Sequence, residues 1–97
     1  MGQHRSHGEP LRKGRISLKL TVRDSHNRNA VEYATLLLKK GKNRQFSGIT
    51  DEKGSHTFLS IPKGDYELTV TSLGYKSRTI DLHARRDTTL TILLLSN

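Results

Sequence analysis

The 97-residue sequence contains no cysteine, no tryptophan and only two prolines. The absence of cysteine excludes disulfides, thiolate zinc sites and thiol nucleophiles. Three Tyr, two Phe and a hydrophobic fraction of 32% leave material for only a modest core. The longest uncharged run, residues 88–97, is about half the length that a membrane-spanning helix needs. The chain is therefore long enough for a single small domain and has no apolar run that could form a membrane helix.

Positive charge is in excess, since 17 Lys and Arg against 9 Asp and Glu give a net charge of +8 at pH 7. The meaning of this excess depends on where the charges lie. Residues 1–15 carry four Lys or Arg and one Glu, with no hydrophobic periodicity. We interpret them as a flexible basic tail, either native or derived from a cloning vector. They lack the apolar segment of a signal peptide, although an exported protein whose signal had been removed would begin in the same way.

From residue 16 onward, apolar and polar residues alternate with the period of two that is typical of half-buried β-strands. The first such set is Ile16, Leu18, Leu20 and Val22. Residues 30–37 could also form a short helix, but a strand fits the neighbouring pattern better. The alternation and the turns between the segments predict seven strands, at residues 16–23, 34–39, 45–50, 56–61, 66–71, 78–82 and 89–95. Residues 16–97 are therefore predicted to form an all-β domain, an antiparallel sandwich or an open barrel.

The end of the chain is unusually apolar. The last predicted strand finishes with Leu93, Leu94 and Leu95, which places leucine on both of its faces. We therefore expect this strand end to be covered on two sides. The sequence stops shortly afterwards at Asn97, as expected for a domain taken from a longer protein.

Five segments carry a family resemblance. They are residues 20–24 (LTVRD), 34–38 (ATLLL), 50–54 (TDEKG), 62–68 (PKGDYEL) and 72–76 (SLGYK). Together they resemble the carboxypeptidase regulatory-like family of small transthyretin-like, or prealbumin-like, β-sandwiches. The resemblance extends over most of the predicted domain and implies a seven-stranded antiparallel Greek-key sandwich. His56 stands where this family has an aromatic residue.

The most similar members form the N-terminal extension of TonB-dependent outer-membrane receptors in Bacteroidetes-type bacteria. This resemblance implies a non-catalytic accessory module on the periplasmic face of the outer membrane, in a receptor for glycans or iron chelates. Its expected partner is another protein or the rest of the receptor chain, with carbohydrate as a further candidate. The membrane would be reached only through the parent protein. The alternatives are a free-standing carbohydrate- or protein-binding sandwich and, third, a basic nucleic-acid binder.

Seven residues in the turn motifs are predicted to be structural: Asp51, Gly54, Pro62, Gly64, Tyr66, Gly74 and Tyr75. Asp accepts backbone N–H bonds in turns, and Gly adopts positive φ without steric cost. Asp51 and Glu52 could instead begin a calcium loop, but such a loop needs more oxygen ligands and Lys53 opposes it. We expect Tyr66 in the core with its hydroxyl at the rim, and Tyr75 over one end of the sandwich.

No metal, cofactor or catalytic site is predicted. The five histidines lack a fixed ligand spacing; they are His4, His7, His26, His56 and His83. No nucleophile elbow marks a Ser-His-Asp set. The transthyretin-like fold also hosts a hydroxyisourate hydrolase, but the C-terminal Tyr-Arg-Gly-Ser signature of that enzyme is absent from the last residues of this chain.

The strongest charge cluster within the domain lies in one predicted loop: Lys39, Lys40, Lys42 and Arg44. A smaller pair is Arg85 and Arg86. Nucleic-acid-binding β-domains interleave aromatic residues for base stacking, and only Phe46 lies near this loop. Nucleic acid is therefore disfavoured. We interpret the cluster first as a solvated loop, and the alternative is a partner-binding loop that contacts an acidic protein surface or anionic lipid head groups.

Overall fold

The computed structural model describes residues 14–97, which form seven β-strands and no helix. They are β1 (Arg15–Asp24), β2 (Thr35–Lys40), β3 (Arg44–Ile49), β4 (Ser55–Pro62), β5 (Gly64–Thr71), β6 (Arg78–Ala84) and β7 (Thr88–Leu94). Within this range, no helix could cross a membrane. The predicted tail at residues 1–15 lies outside the described residues as far as residue 13, whereas Arg15 already belongs to β1.

The strands form two sheets whose inner faces share one hydrophobic core. The smaller sheet has the order β4-β1-β7 and the larger one the order β3-β2-β5-β6. After β4 has paired with β1, the chain returns to the larger sheet and β5 pairs with β2. This return past a non-consecutive strand is the Greek-key element of the fold. The predicted all-β sandwich of seven strands is confirmed.

One strand pair departs from the antiparallel prediction, because β7 runs parallel to β1. The other four pairs within residues 14–97 are antiparallel. Successive strands alternate in direction, so all odd-numbered strands point the same way. β1 and β7 are both odd-numbered and become neighbours when the chain crosses back to the smaller sheet. Their parallel alignment follows from this parity.

The core is built by the inner faces of the central strands. In β1, the alternating residues Ile16, Leu18, Leu20 and Val22 are all at most 4% exposed, while Lys19 faces solvent. β2 and β5 contribute further buried residues in the same way: Leu36, Leu38, Tyr66, Leu68 and Val70. Burial of each such aliphatic side chain contributes about 1.5–3 kcal/mol. The period of two in the sequence thus gives each central strand one apolar face, and the two sheets pack together by burying these faces.

A β-bulge in β4 explains why two buried residues of this strand are three positions apart and not two. Phe58 and Ile61 are both buried although they are three positions apart, and Leu59 is exposed. The register against β1 shifts at this point, and Ser60 has a φ of 54°. The extra residue turns Ile61 back to the core face, as bulges do. Arg15 donates a hydrogen bond of 2.6 Å to the Ser60 carbonyl oxygen.

The expectation of a last strand covered on two sides is wrong. Leu94 is fully buried, whereas Leu93 is half-buried and Leu95 is 61% exposed. The reason is that the sandwich has only two sheets, so the outer face of β7, on which Leu93 lies, faces solvent, and Leu95 follows the end of the strand. The helix alternative for residues 30–37 is also wrong, because β2 begins at Thr35 and a turn precedes it.

Thr50 joins two connections at one end of the sandwich. Its side chain is buried, donates to the Val31 carbonyl oxygen and accepts from the Ala34 amide, both at 2.8 Å. Its backbone exchanges further bonds with Tyr33 and Ala34. The hydroxyl therefore satisfies two backbone groups that have no strand partner.

We expect Thr50→Val to destabilise the fold by about 2 kcal/mol, because the isosteric side chain leaves a buried N–H and a buried C=O unpaired. Urea denaturation followed by circular dichroism measures this loss. The control is Thr50→Ser, which keeps the hydroxyl and removes one methyl group, at a cost of about 1 kcal/mol. Equal destabilisation by both substitutions would contradict the role assigned to the hydroxyl.

Candidate functional site: the basic end of the sandwich

Asp51 and Gly54 form a tight turn between β3 and β4. One carboxylate oxygen of Asp51 accepts hydrogen bonds from the Lys53 amide (2.8 Å) and the Ser55 amide (2.9 Å). These bonds lower the pKa of Asp51, with Ser55 as the larger cause. Gly54 has a φ of +77°, and a Cβ there would lie 2.6 Å from the Val22 carbonyl oxygen. The Asp51 carboxylate is thus occupied with the backbone of its own turn.

The segment from Pro62 to Tyr66 reverses the chain at the other end of the sandwich. The Tyr66 ring is buried, and its hydroxyl donates a 2.6 Å hydrogen bond to the Pro62 carbonyl oxygen. Burial raises the pKa of Tyr66, while the nearby positive charges of Arg44 and Arg15 act in the opposite direction. Gly64 has a φ of +149°, and a side chain at this position would overlap Lys40.

Tyr75 closes the end of the sandwich opposite to Tyr66. Its hydroxyl donates a 2.8 Å hydrogen bond to a carboxylate oxygen of Asp24, a residue that is 7% exposed. The second Asp24 oxygen accepts from the His26 and Asn27 amides. The Tyr75 bond is the largest cause that lowers the pKa of Asp24, and it raises the pKa of Tyr75. Gly74 directly precedes Tyr75 with a φ of +88° in open space.

The described histidines have separate environments. The His56 ring packs edge-on against Phe58 with centroids 4.6 Å apart, and it lies over Gly48. His26 is exposed in a turn, and His83 contacts Asp65. His4 and His7 lie outside the described residues. Over residues 14–97, no three His, Cys, Asp or Glu side chains come close enough to hold a metal ion.

The fold collects cationic side chains from four separate segments at one end. We call this group the basic end: Arg15, Lys40, Lys42, Arg44, Lys63, Arg85 and Arg86. It comprises the start of β1 and the β2–β3, β4–β5 and β6–β7 connections, which share one end because the strands alternate in direction. The connections at the opposite end, residues 25–34, 50–54 and 72–77, contain three Lys or Arg and three Asp or Glu.

Backbone contacts establish that the four segments are neighbours. The Lys63 amide donates to the Gly14 carbonyl oxygen at 2.8 Å, and Arg15 pairs with Pro62 in the sheet. Gly64 pairs with Ala84, so the Lys63 turn lies beside the Arg85 turn. A side chain added at Gly64 would overlap the Lys40 side chain, so the β2–β3 connection lies next to the β4–β5 turn.

Two carboxylates lie at the basic end, and both are engaged. Asp65 accepts from His83 Nδ1 at 2.8 Å and pairs with Arg85 at 3.3 Å. The His83 bond lowers the pKa of Asp65, and the charges of Arg85 and Lys40 act in the same direction. Asp87 accepts from the Ser17 amide at 2.8 Å. Within residues 14–97, the other exposed cations of this end make no ion pair: Arg15, Lys42, Arg44, Lys63 and Arg86.

The predicted partner-binding loop is divided by strand alternation. Lys39 lies on the outer face of the larger sheet, where it pairs in register with Glu67. Lys40, Lys42 and Arg44 belong to the basic end. The sequence analysis did not predict that Arg15, Lys63, Arg85 and Arg86 lie at the same end. Because strands alternate in direction, every second connection lies at one end of the sandwich, and the Lys and Arg residues in these alternate connections could have indicated it. Phe46 is half-buried, and its ring centroid lies 6.3 Å from that of Tyr66, so it is not a free stacking surface.

A shallow hollow of about 430 Å³ lies on the outer face of the larger sheet, next to the basic end. Three of its lining residues are acidic: Asp65, Glu67 and Asp81. Lys39 and His83 also line it. The acidic lining excludes a continuous basic groove along the outer face of the larger sheet.

The two packed sheets and the Greek-key return define a transthyretin-like β-sandwich. The family model for the carboxypeptidase regulatory-like domain matches residues 17–95. The chain belongs to this family. A search of curated protein sequences finds no match.

Solved structures with this fold have diverse functions. The major pilin subunit BcpA of Bacillus cereus is 24% identical with a TM-score of 0.67, over 86% of this chain and 30% of that one. The 5-hydroxyisourate hydrolase of Klebsiella pneumoniae is 20% identical with a TM-score of 0.67, over 84% and 91%. A putative carbohydrate-binding protein of Bacteroides uniformis is 8% identical with a TM-score of 0.71, over 84% and 41%. At these identities the similarity shows the fold alone.

We expect Gly74→Ala to cost about 1 kcal/mol, because alanine is strained at positive φ. Gly54→Ala adds an overlap with the Val22 carbonyl oxygen and is expected to cost about 1–3 kcal/mol more. The two substitutions are chemically identical, so their difference in the free energy of unfolding isolates the close backbone approach. Equal losses in urea denaturation would contradict it.

The Asp24–Tyr75 contact predicts a specific acid sensitivity. The folded-state pKa of Asp24 is lowered from 3.8, so its contribution to stability is present above that pH and lost as the pH falls through the folded value. We expect Tyr75→Phe to reduce stability near neutral pH and to flatten the fall in stability as the pH drops below about 5. Tyr33→Phe, at an exposed position, is the control. An unchanged pH profile in Tyr75→Phe would contradict the assignment.

Proposed function

We propose that this domain is a non-catalytic accessory and interaction module of a larger exported protein, and that it contacts its partner with the basic end. The observation that carries this proposal is the unequal distribution of charge between the two ends of the sandwich. One end concentrates seven cations from four segments, while the connections at the other end are balanced. The membership in the carboxypeptidase regulatory-like family supports a non-catalytic role.

We further propose that the larger protein is a TonB-dependent outer-membrane receptor for glycans or iron chelates, with this domain as its periplasmic N-terminal extension. The family motifs at residues 50–54 and 62–68 support this context. The similarity to only 30% of the pilin subunit is an example of such a sandwich within a longer chain.

The receptor context is tested by sequencing the gene on both sides of the encoded segment. We expect a signal peptide before it, and a TonB-contacting segment followed by the receptor domain after Asn97. A reading frame that ends at Asn97, or one that continues into a cytoplasmic enzyme, would overturn this context.

The non-catalytic role is tested separately with the substrate of 5-hydroxyisourate hydrolase, because this fold matches 91% of that enzyme's chain. We expect the purified chain not to turn over 5-hydroxyisourate in an ultraviolet absorbance assay, with a genuine hydrolase as the positive control. Turnover above the spontaneous rate would overturn the non-catalytic proposal and leave the position of the basic end unaffected.

A further inference from the structure

We propose that the basic end is a docking surface for a bilayer of anionic lipids, which the sandwich meets end-on with its strands steeply inclined to the membrane plane. This inference rests on the proposed role of the basic end as the contact surface. It goes beyond the expectation that the module reaches the membrane only through its parent protein.

The shape of the positive surface favours a flat partner. The cations of the basic end lie at the ends of strands and in turns, so they form a cap. On the outer face of β1, only Lys19 and Arg23 follow Arg15, and Arg23 is half-buried and donates to the Arg28 carbonyl oxygen. The hollow beside this cap is lined by Glu67 and Asp81 together with Lys39, and the two carboxylates would repel a polyanion laid along that face. A linear polyanion gains most from a continuous groove, whereas a planar charged surface contacts a cap with all its cations at once.

The side chains at this end are suited to head groups. Lys42, Arg44, Lys63 and Arg86 are exposed and make no ion pair within residues 14–97. Both local carboxylates are already occupied by the protein's own donors. Clusters of four to eight Lys or Arg are the typical composition of surfaces that bind anionic lipids.

A nucleic acid is the less suitable partner for the same surface. Modules that bind single strands add exposed aromatic side chains on which bases stack. At the basic end, among residues 14–97, the nearby Tyr and Phe rings are those of Tyr66 and Phe46, which are buried and half-buried, and the exposed His83 ring is hydrogen-bonded to Asp65. The surface therefore offers charge without base recognition.

The test measures the partition of the complete 97-residue chain to lipid vesicles. The vesicles contain either phosphatidylcholine alone or phosphatidylcholine with about one third phosphatidylglycerol. We expect sedimentation with the anionic vesicles only, and release at about 0.5 M NaCl, where surface charge is screened. Absence of binding to the anionic vesicles at low salt, or binding that persists at high salt, would overturn the proposal.

Two charge-matched double variants locate the surface. Lys42→Gln with Lys63→Gln removes two charges from the basic end, and Lys53→Gln with Lys76→Gln removes two from the opposite end. We expect the first pair to lower the partition coefficient by about tenfold or more, and the second to change it by about twofold or less. Equal losses would mean that net charge alone controls binding and would overturn the proposed surface. Circular dichroism verifies that both variants are folded.

The orientation is tested with single cysteines, which are unique because the sequence has none. Asn43→Cys lies at the basic end and Glu52→Cys at the opposite end; each is labelled with an environment-sensitive dye. On anionic vesicles we expect a blue shift and protection from iodide quenching at position 43, with no change at position 52. Equal responses at both positions, or a response only at position 52, would overturn the end-on geometry.

Binding measurements with poly-glutamate and with duplex DNA, made beside the vesicle experiments, distinguish failure of this inference from failure of the proposed function. If either polymer binds through Lys42 and Lys63 while anionic vesicles do not, lipid docking fails and the basic end remains an interaction surface. If the vesicle results are as expected but the flanking gene sequence does not encode a receptor, the lipid-docking surface is supported and the TonB-dependent receptor context is rejected.

Discussion

The alternation of apolar residues along β1, β2 and β5 is the constraint on which the rest of the molecule depends. With a hydrophobic fraction of 32%, nearly all large aliphatic side chains of the central strands must face inward. The polar and charged residues are then left with two kinds of place, the outer sheet faces and the strand ends. The location of the positive charge is therefore a consequence of how the core is formed, since no buried Lys or Arg is present in residues 14–97.

Much of the fold could be predicted because strand periodicity is a local property. The spacing of the apolar residues from Ile16 to Val22 is enough to predict which face of β1 is buried. The residue types from Asp51 to Gly54 are enough to predict the turn. The parallel pairing of β1 with β7 is a non-local property that depends on which strand fills the edge of the smaller sheet. The exposure of Leu95 is also non-local, because it depends on whether a further layer covers the outer face of the smaller sheet. Local patterns cannot distinguish a leucine on a covered sheet face from one on a face exposed to solvent.

The candidate site could be predicted only in part, for a related reason. The sequence shows Lys39, Lys40, Lys42 and Arg44 as one cluster because they are adjacent. The fold moves Lys39 to the outer sheet face and adds Lys63 and Arg86, which are distant in sequence. Thr50 and Asp24 were also not recognised as polar residues that the fold buries. Their hydrogen bonds satisfy irregular backbone and a tyrosine hydroxyl, which only tertiary structure brings into reach.

The parallel pair of β1 and β7 also determines how the domain responds to tension. Gly14 precedes the start of β1, and Leu95 to Asn97 follow the end of β7, so the two ends of the folded chain emerge at opposite ends of the sandwich. The ten residues of β1 separate them by roughly 33 Å. A force that pulls these ends apart loads the β1–β7 hydrogen bonds in shear, all together and not one after another. Placed in line within a longer chain, the sandwich would act as a stiff link that transmits tension.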